Sequence, residues 1–180
     1  EIRQRDKNLK HKWKGINDKV PVNYQFVFES EERENAFLMN QFPTDDLKKK
    51  FKEYRDEWYR RAKEFDSGEI PLSVTCELVS TCNLACTMCY TITEKFQNSV
   101  IGAQRMLPWP IVKNIIDECA ELEVPSMLFS WRGESTLYRQ KDENGKIIRF
   151  PDVLAYARKK GILEIASLTH GQLLEGQLAK

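Results

Sequence analysis

A chain of 180 residues with 41% hydrophobic and 31% charged residues has the balance of a soluble globular protein. Its net charge of +1 offers no electrostatic case for a nucleic acid or an anionic membrane as partner. No stretch approaches the roughly 18 apolar residues needed to span a bilayer.

Lys7, Lys10, Lys12, Lys14 and Lys19 make residues 1–20 locally basic, which is ordinarily a solvated tail. Residues 21–43 mix Tyr24, Phe26, Val27 and Phe28 with Phe37, Leu38 and Phe42. A short strand or an extended arm is expected over 22–28. Thr44 then caps a long helix, with Asp45 and Asp46 in the first turn, where the helix dipole favours carboxylates. Leu47, Phe51, Tyr54, Trp58, Ala62 and Phe65 recur at helical spacing and read as a packing face. Ser67 and Gly68 end this helix, and Pro71 prevents its return.

From Leu72 the pattern is strand, loop, helix, repeated. A strand is expected over 72–79, followed by a cysteine-rich loop. Pro110 opens a helix that runs to about Leu122. A second strand follows over 126–131, then a longer connection over 135–150 with a hairpin tip at Asn144 and Gly145. A second helix over 151–160 is closed by Gly161. A third strand is expected over 162–168, with a third helix starting near Gln172. Alternating strands and helices imply an α/β fold with a parallel sheet and right-handed crossovers.

Cys82, Cys86 and Cys89 fall in the first of these loops, with gaps of three and two residues. The spacing lets three thiolates converge on one point, one ligand short of filling a four-iron, four-sulfur cluster. Zinc is the rival, but structural zinc sites usually add a second cysteine pair or histidines. The chain offers only His11 and His170, and no second CxxC. Cys76 is the nearest fourth thiol, yet it shares a strand face with Val74 and Leu78. It reads as a small buried hydrophobe. Cys119 lies on the apolar stripe Ile111, Ile115, Ile116, Cys119, Leu122 and reads the same way. Ferredoxin-type clusters use other spacings. Five cysteines, an odd number, fit a disulfide framework poorly where no secretory signal is visible. Taken alone, the residues leave a cluster, zinc and unliganded thiols open.

Two motifs downstream of the triplet narrow the choice. The second apolar segment, Met127 to Trp131, runs into Arg132, Gly133 and Glu134, and the third ends in Thr169, His170 and Gly171. Together with the cysteines this resembles the radical S-adenosylmethionine (radical SAM) enzymes. Their signature is CxxxCxxC, then a second-strand GGE motif, here in the WRGE form of the branch with SPASM or twitch extensions, then a third-strand TNG. The agreement in order and spacing covers residues 72–180, and residues 1–70 carry none of it. Arg132 replaces a glycine, Ser135 and Thr87 stand where proline is frequent, and His170 stands where asparagine is common. None of these departures removes an iron ligand.

The resemblance implies a partial (β/α) radical SAM barrel over 71–180, its first three strand–helix units, truncated. A mainly helical N-terminal extension over 1–70, with the long amphipathic helix, precedes it. It also implies a [4Fe-4S] cluster on Cys82, Cys86 and Cys89, with S-adenosylmethionine on the fourth iron. The chemistry so implied is reductive cleavage to a 5′-deoxyadenosyl radical that abstracts hydrogen from a peptide, a sugar or a small metabolite. Glu134 and Gly133 would hold the methionyl ammonium. Met88 would lie against the adenine, which is compatible with packing in the core. No residue is assigned as catalytic in its own right. A small electron donor of flavodoxin or ferredoxin type and a reducing cytoplasm are expected. Arg132 either binds an anionic group on S-adenosylmethionine or substrate or, as favoured here, pairs internally with Glu134 or Glu77, and Asn83 is expected to stabilise the cysteine loop. Tyr90 either covers the cluster or ends the loop. His170, at a strand's C-terminal end, is either an active-site contact or a structural hydrogen-bonder. The alternatives are a non-catalytic iron–sulfur or zinc protein on the same scaffold, and an interaction module built on the 44–66 helix.

Overall fold

The computed structural model describes residues 31–175, so the basic run over 1–20 and the arm expected over 22–28 lie outside the described residues. The chain divides into two compact units, 1–43 and 44–180. In the first, helix α1 (Glu31–Gln41) is followed by Phe42. Leu38 and Phe42 are buried, and the Phe37 and Phe42 rings meet edge to face at 6.4 Å.

The second unit opens with α2 (Asp45–Glu64). Thr44 caps it as expected, its hydroxyl accepting from Leu47 N at 3.4 Å. Phe51 and Tyr54 are buried from the apolar stripe, but so is Arg55, which lies between them and Trp58 on the same face. The end differs from the sequence expectation. The helix stops before Phe65, which takes a left-handed conformation (φ 57°), and Asp66 N returns to Arg61 O at 3.0 Å. Phe65 is therefore off the stripe and 96% exposed.

Strand β1 (Ser73–Thr75) follows, then the cysteine loop and a 3-10 turn over Tyr90–Ile92. Two short helices, α3 (Glu94–Gln97) and α4 (Val100–Gln104), lead to α5 (Trp109–Glu121). Strand β2 (Ser126–Leu128) comes next, then a hairpin of β3 (Arg139–Lys141) and β4 (Ile147–Arg149). Helix α6 (Phe150–Lys159) and β5 (Glu164–Ala166) complete the unit. At the hairpin tip Gly145 has a φ of 78°, where a side chain is disfavoured, and Asp142 Oδ1 accepts from Asn144 N and Lys146 N. Only a turn is present at Gln172, where a third helix is expected.

The sheet is parallel in the order β1-β2-β5, with Ser73, Ser126 and Glu164 in register, then Val74, Met127 and Ile165. The fold is thus α/β. Each strand is shorter than its apolar run. Leu78, Val79 and Phe129 are fully buried beyond the ladder ends, so burial outlasts the parallel ladder. After Cys76 N donates to Leu128 O, the chain leaves β2 and pairs with the segment before α5, through Leu107 N to Leu78 O and Ser80 N to Arg105 O. Val112, Ile116 and Cys119 of α5, with Val153 and Ala157 of α6, join Met127 and Phe129 in one core. Each fully buried large aliphatic there is worth roughly 1.5–3 kcal/mol. Among the described residues no helix is long and apolar enough to cross a membrane.

Candidate functional site

The exits of the three parallel strands meet at one end of the sheet. Gly133, five residues beyond β2, has a φ of 60°. A Cβ there would sit 2.5 Å from both Val79 O and Thr81 O, so glycine is required. The backbone that approaches Gly133 is the chain's own. It lets Glu134 N donate to Thr81 O at 2.9 Å, which ties the β2 exit to the start of the cysteine loop.

Glu134 is 2% exposed, so it is not a solvated loop carboxylate. Its Oε1 accepts from Thr136 N (3.1 Å), the Thr136 hydroxyl (2.6 Å) and the Thr169 hydroxyl (2.8 Å). Its Oε2 accepts from His170 N at 3.1 Å and lies 3.3 Å from His170 Nε2. Burial pushes this carboxyl up, but the bonds from Thr136, Thr169 and His170 outweigh it and hold the group below its ordinary value. Oε1 is saturated, and Oε2 is the oxygen with capacity for a further donor. The sequence points to Glu134 through its motif. Thr136, which has no place in that motif, is a partner only the fold reveals.

Arg132 pairs with Glu77, Nε to Oε2 at 2.6 Å, and not with Glu134. Its guanidinium lies over the Phe96 ring, 5.7 Å from the centroid, and Tyr90 meets the same ring edge-on at 5.3 Å. Tyr90 thus packs at the loop's end. His170 Nε2 is 2.8 Å from Asn83 Oδ1, so the third strand's exit also reaches the cysteine loop.

The three thiols carry the chemistry of a cluster's ligand set, but they are not gathered. Cys86 is exposed, Cys82 and Cys89 are half-buried, and all five cysteines are free. Leu84 N donates to Cys82 Sγ at 3.4 Å, and Cys89 N donates to Cys86 O at 2.9 Å. Cys89 Sγ shares a 2.9 Å hydrogen bond with the Thr91 hydroxyl. That bond and one from the Thr91 amide lower the Cys89 thiol. Among the described residues no group of three or more His, Cys, Asp or Glu side chains is arranged to hold a metal ion. The three thiols would therefore have to be brought together to seat a cluster. Cys76 and Cys119 are buried in the core, and burial, with the neighbouring Cys119 and Glu77, pushes the Cys76 thiol up to about 12. Met88 is 87% exposed, which excludes core packing. A cavity of about 320 Å³ lined by Tyr54, Arg61, Pro71 and Leu122 lies at the opposite ends of the strands and includes none of these residues.

No family model, no curated protein and no solved structure matches the chain.

Proposed function

We propose that this chain carries the first three strands of a (β/α) radical SAM barrel, with the helices that follow the first two, and with them the cluster site of a radical SAM enzyme. The observation that carries the reading is the meeting of three sequence motifs at one end of a parallel sheet. The cysteine loop, Gly133 with Glu134, and Thr169 with His170 are linked there through hydrogen bonds to Glu134 and its backbone. In α/β barrels that end of the strands is where functional groups gather.

Cys82, Cys86 and Cys89 would hold a [4Fe-4S] cluster, and Glu134 Oε2, with Gly133 and Met88, would meet S-adenosylmethionine. When bound, these groups supply reductive cleavage of the sulfonium to a 5′-deoxyadenosyl radical, which takes hydrogen from a peptide, sugar or small-metabolite substrate. The chain's own part is to orient and to shield. The Gly133 contact and the Glu134 bonds fix the carboxylate before any ligand arrives, and exposed Met88 is available to cover one. A flavodoxin- or ferredoxin-type donor in a reducing cytoplasm would supply the electron. A second reading, a non-catalytic iron–sulfur or zinc protein, draws on the internal saturation of Glu134 Oε1.

Anaerobic reconstitution followed by iron and sulfide analysis separates the two. The first reading expects about four irons per chain, lost when any of the three cysteines becomes alanine. It also expects cleavage of S-adenosylmethionine on reduction in protein that carries the remaining barrel strands. Stoichiometric zinc in a colourless protein overturns it, and an iron-loaded protein that carries the remaining barrel strands yet never cleaves S-adenosylmethionine favours the non-catalytic reading.

A further inference from the structure

We propose that His170 is a positioning residue that, with Glu134, brackets Cys82 from both sides and thereby sets how this thiol is presented. The backbone on one side is held by Glu134 N donating to Thr81 O at 2.9 Å. The side chain on the other is held by His170 Nε2 at 2.8 Å from Asn83 Oδ1. Both holds come from outside the loop, one from the exit of β2 and one from the exit of β5.

The proton positions follow from one unambiguous donor. Gln172 N, a backbone amide, donates to His170 Nδ1 at 3.1 Å. A ring nitrogen that accepts carries no proton, so the neutral ring has its proton on Nε2. Nε2–H then faces two acceptors, Asn83 Oδ1 and, at 3.3 Å, Glu134 Oε2. The reverse orientation of the Asn83 amide would set two donors against each other. Asn83 is thus fixed with Oδ1 engaged, which leaves its Nδ2 as a donor one residue from Cys82. The ring is anchored as well, because His170 N donates to Glu134 Oε2 at 3.1 Å and the side chain is only 16% exposed.

The inference deepens the function proposed above, since it gives the order of one candidate ligand, but its geometry needs no bound group. The test uses the whole chain, reduced and metal-free, with iodoacetamide alkylation followed at each cysteine by peptide mass spectrometry. His170→Ala and Asn83→Ala are each expected to change the Cys82 rate several-fold, while buried Cys76 and Cys119 stay protected. The double variant is expected to go no further than either single one, because both act through one bond. His170→Gln, which keeps a donor, is expected to return the rate close to wild type. In reconstituted protein the alanine variants are expected to lose iron faster. An unchanged Cys82 rate in both single variants overturns the proposal, as does exposure of Cys76 and Cys119 together with Cys82, which would signify general loosening. If Cys82 responds in this pattern but the wild-type chain retains no iron, the bracket stands and the radical SAM reading falls.

Discussion

Glu134 is a buried charge whose hydrogen bonds offset its desolvation. Glu134→Gln keeps the shape but turns an NH2 group toward donors. At neutral pH it is expected to cost about 1.5–3 kcal/mol, the range for hydrogen bonds to a charged group. The pH dependence has a definite sign. The folded carboxyl lies below its unfolded value, so its contribution is present above the unfolded value, near 4.3, and is lost as pH falls through the folded one. Urea denaturation of wild type and Glu134→Gln should therefore differ most near pH 7 and converge in acid. Equal stability at pH 7 would mean that the carboxylate's bonds contribute nothing net. This residue also marks what a sequence exposes of a site. Cys82, Gly133 and Glu134 stand in short motifs and are legible. Thr136 as a partner, and the link between Asn83 and His170 across 87 positions, arise from folding and have no local signal.

Among the elements, boundaries follow local chemistry only where that chemistry dominates. Thr44 with Asp45 and Asp46 is a strong local start, and α2 begins there. The strands are less legible, because Leu78, Val79 and Phe129 are as buried outside the ladder as residues within it, and apolar runs report burial, not pairing. Arg55 reads as solvent-facing by residue type, yet it is buried with Tyr54, Trp58 and Tyr59 rings within 5.6 Å of its guanidinium. Ser67 and Gly68 signal the end of α2 in the sequence, but it falls at Phe65. Side-chain bonds over-determine the turn: Arg61 Nη1 donates to Ile70 O at 2.7 Å, and Arg60 Nη2 reaches Asp66 Oδ2 at 2.7 Å. They hold Phe65 left-handed, a conformation that costs an L-residue about 1–2 kcal/mol. Its ring recovers little, being 96% exposed. Phe65→Gly is therefore expected to stabilise the chain by about 0.5–1 kcal/mol after the entropy cost of glycine. Thermal unfolding followed by circular dichroism checks this, and a lowered midpoint would show that the ring makes a contact worth more than the strain.

At the scale of the whole second unit the two ends of the sheet have separate tasks. Motif-bearing loops gather at the strand exits, while α2 closes the entrances. Ser73, Ser126 and Glu164 begin the three strands in register. Glu164 Oε2 accepts from the Tyr54 hydroxyl and the Ser126 hydroxyl, both at 2.6 Å. Ser73 and Ser126 hydroxyls are 3.3 Å apart, which carries the chain of contacts to β1. Arg55 Nη1 is 3.9 Å from Glu164 Oε1, an ion pair too long for a hydrogen bond, and Arg55 Nη2 and Glu164 Oε1 have no hydrogen-bond partner among the described residues. Burial, then the Glu164 charge, pushes the Tyr54 hydroxyl up, so it stays a donor across the physiological range. The two truncations should consequently differ. Tyr54→Phe removes one donor and leaves Glu164 with Ser126, an expected loss of about 1.5–3 kcal/mol. Glu164→Ala strands the Arg55 guanidinium in a buried site, and breaking a buried pair this way costs about 3–5 kcal/mol. Against a total stability of about 5–15 kcal/mol, the second change brings the fold close to its limit. Denaturant titration of both variants should rank them in that order. If α2 were an accessory docked on a self-sufficient sheet, Glu164→Ala would instead release the helix without unfolding the core. Hydrogen exchange would then show lost protection in α2 alone, with α5 and β2 unchanged. A single cooperative loss across all three elements is the expected result, because the charge that anchors α2 sits on the first residue of β5, inside the sheet's own register.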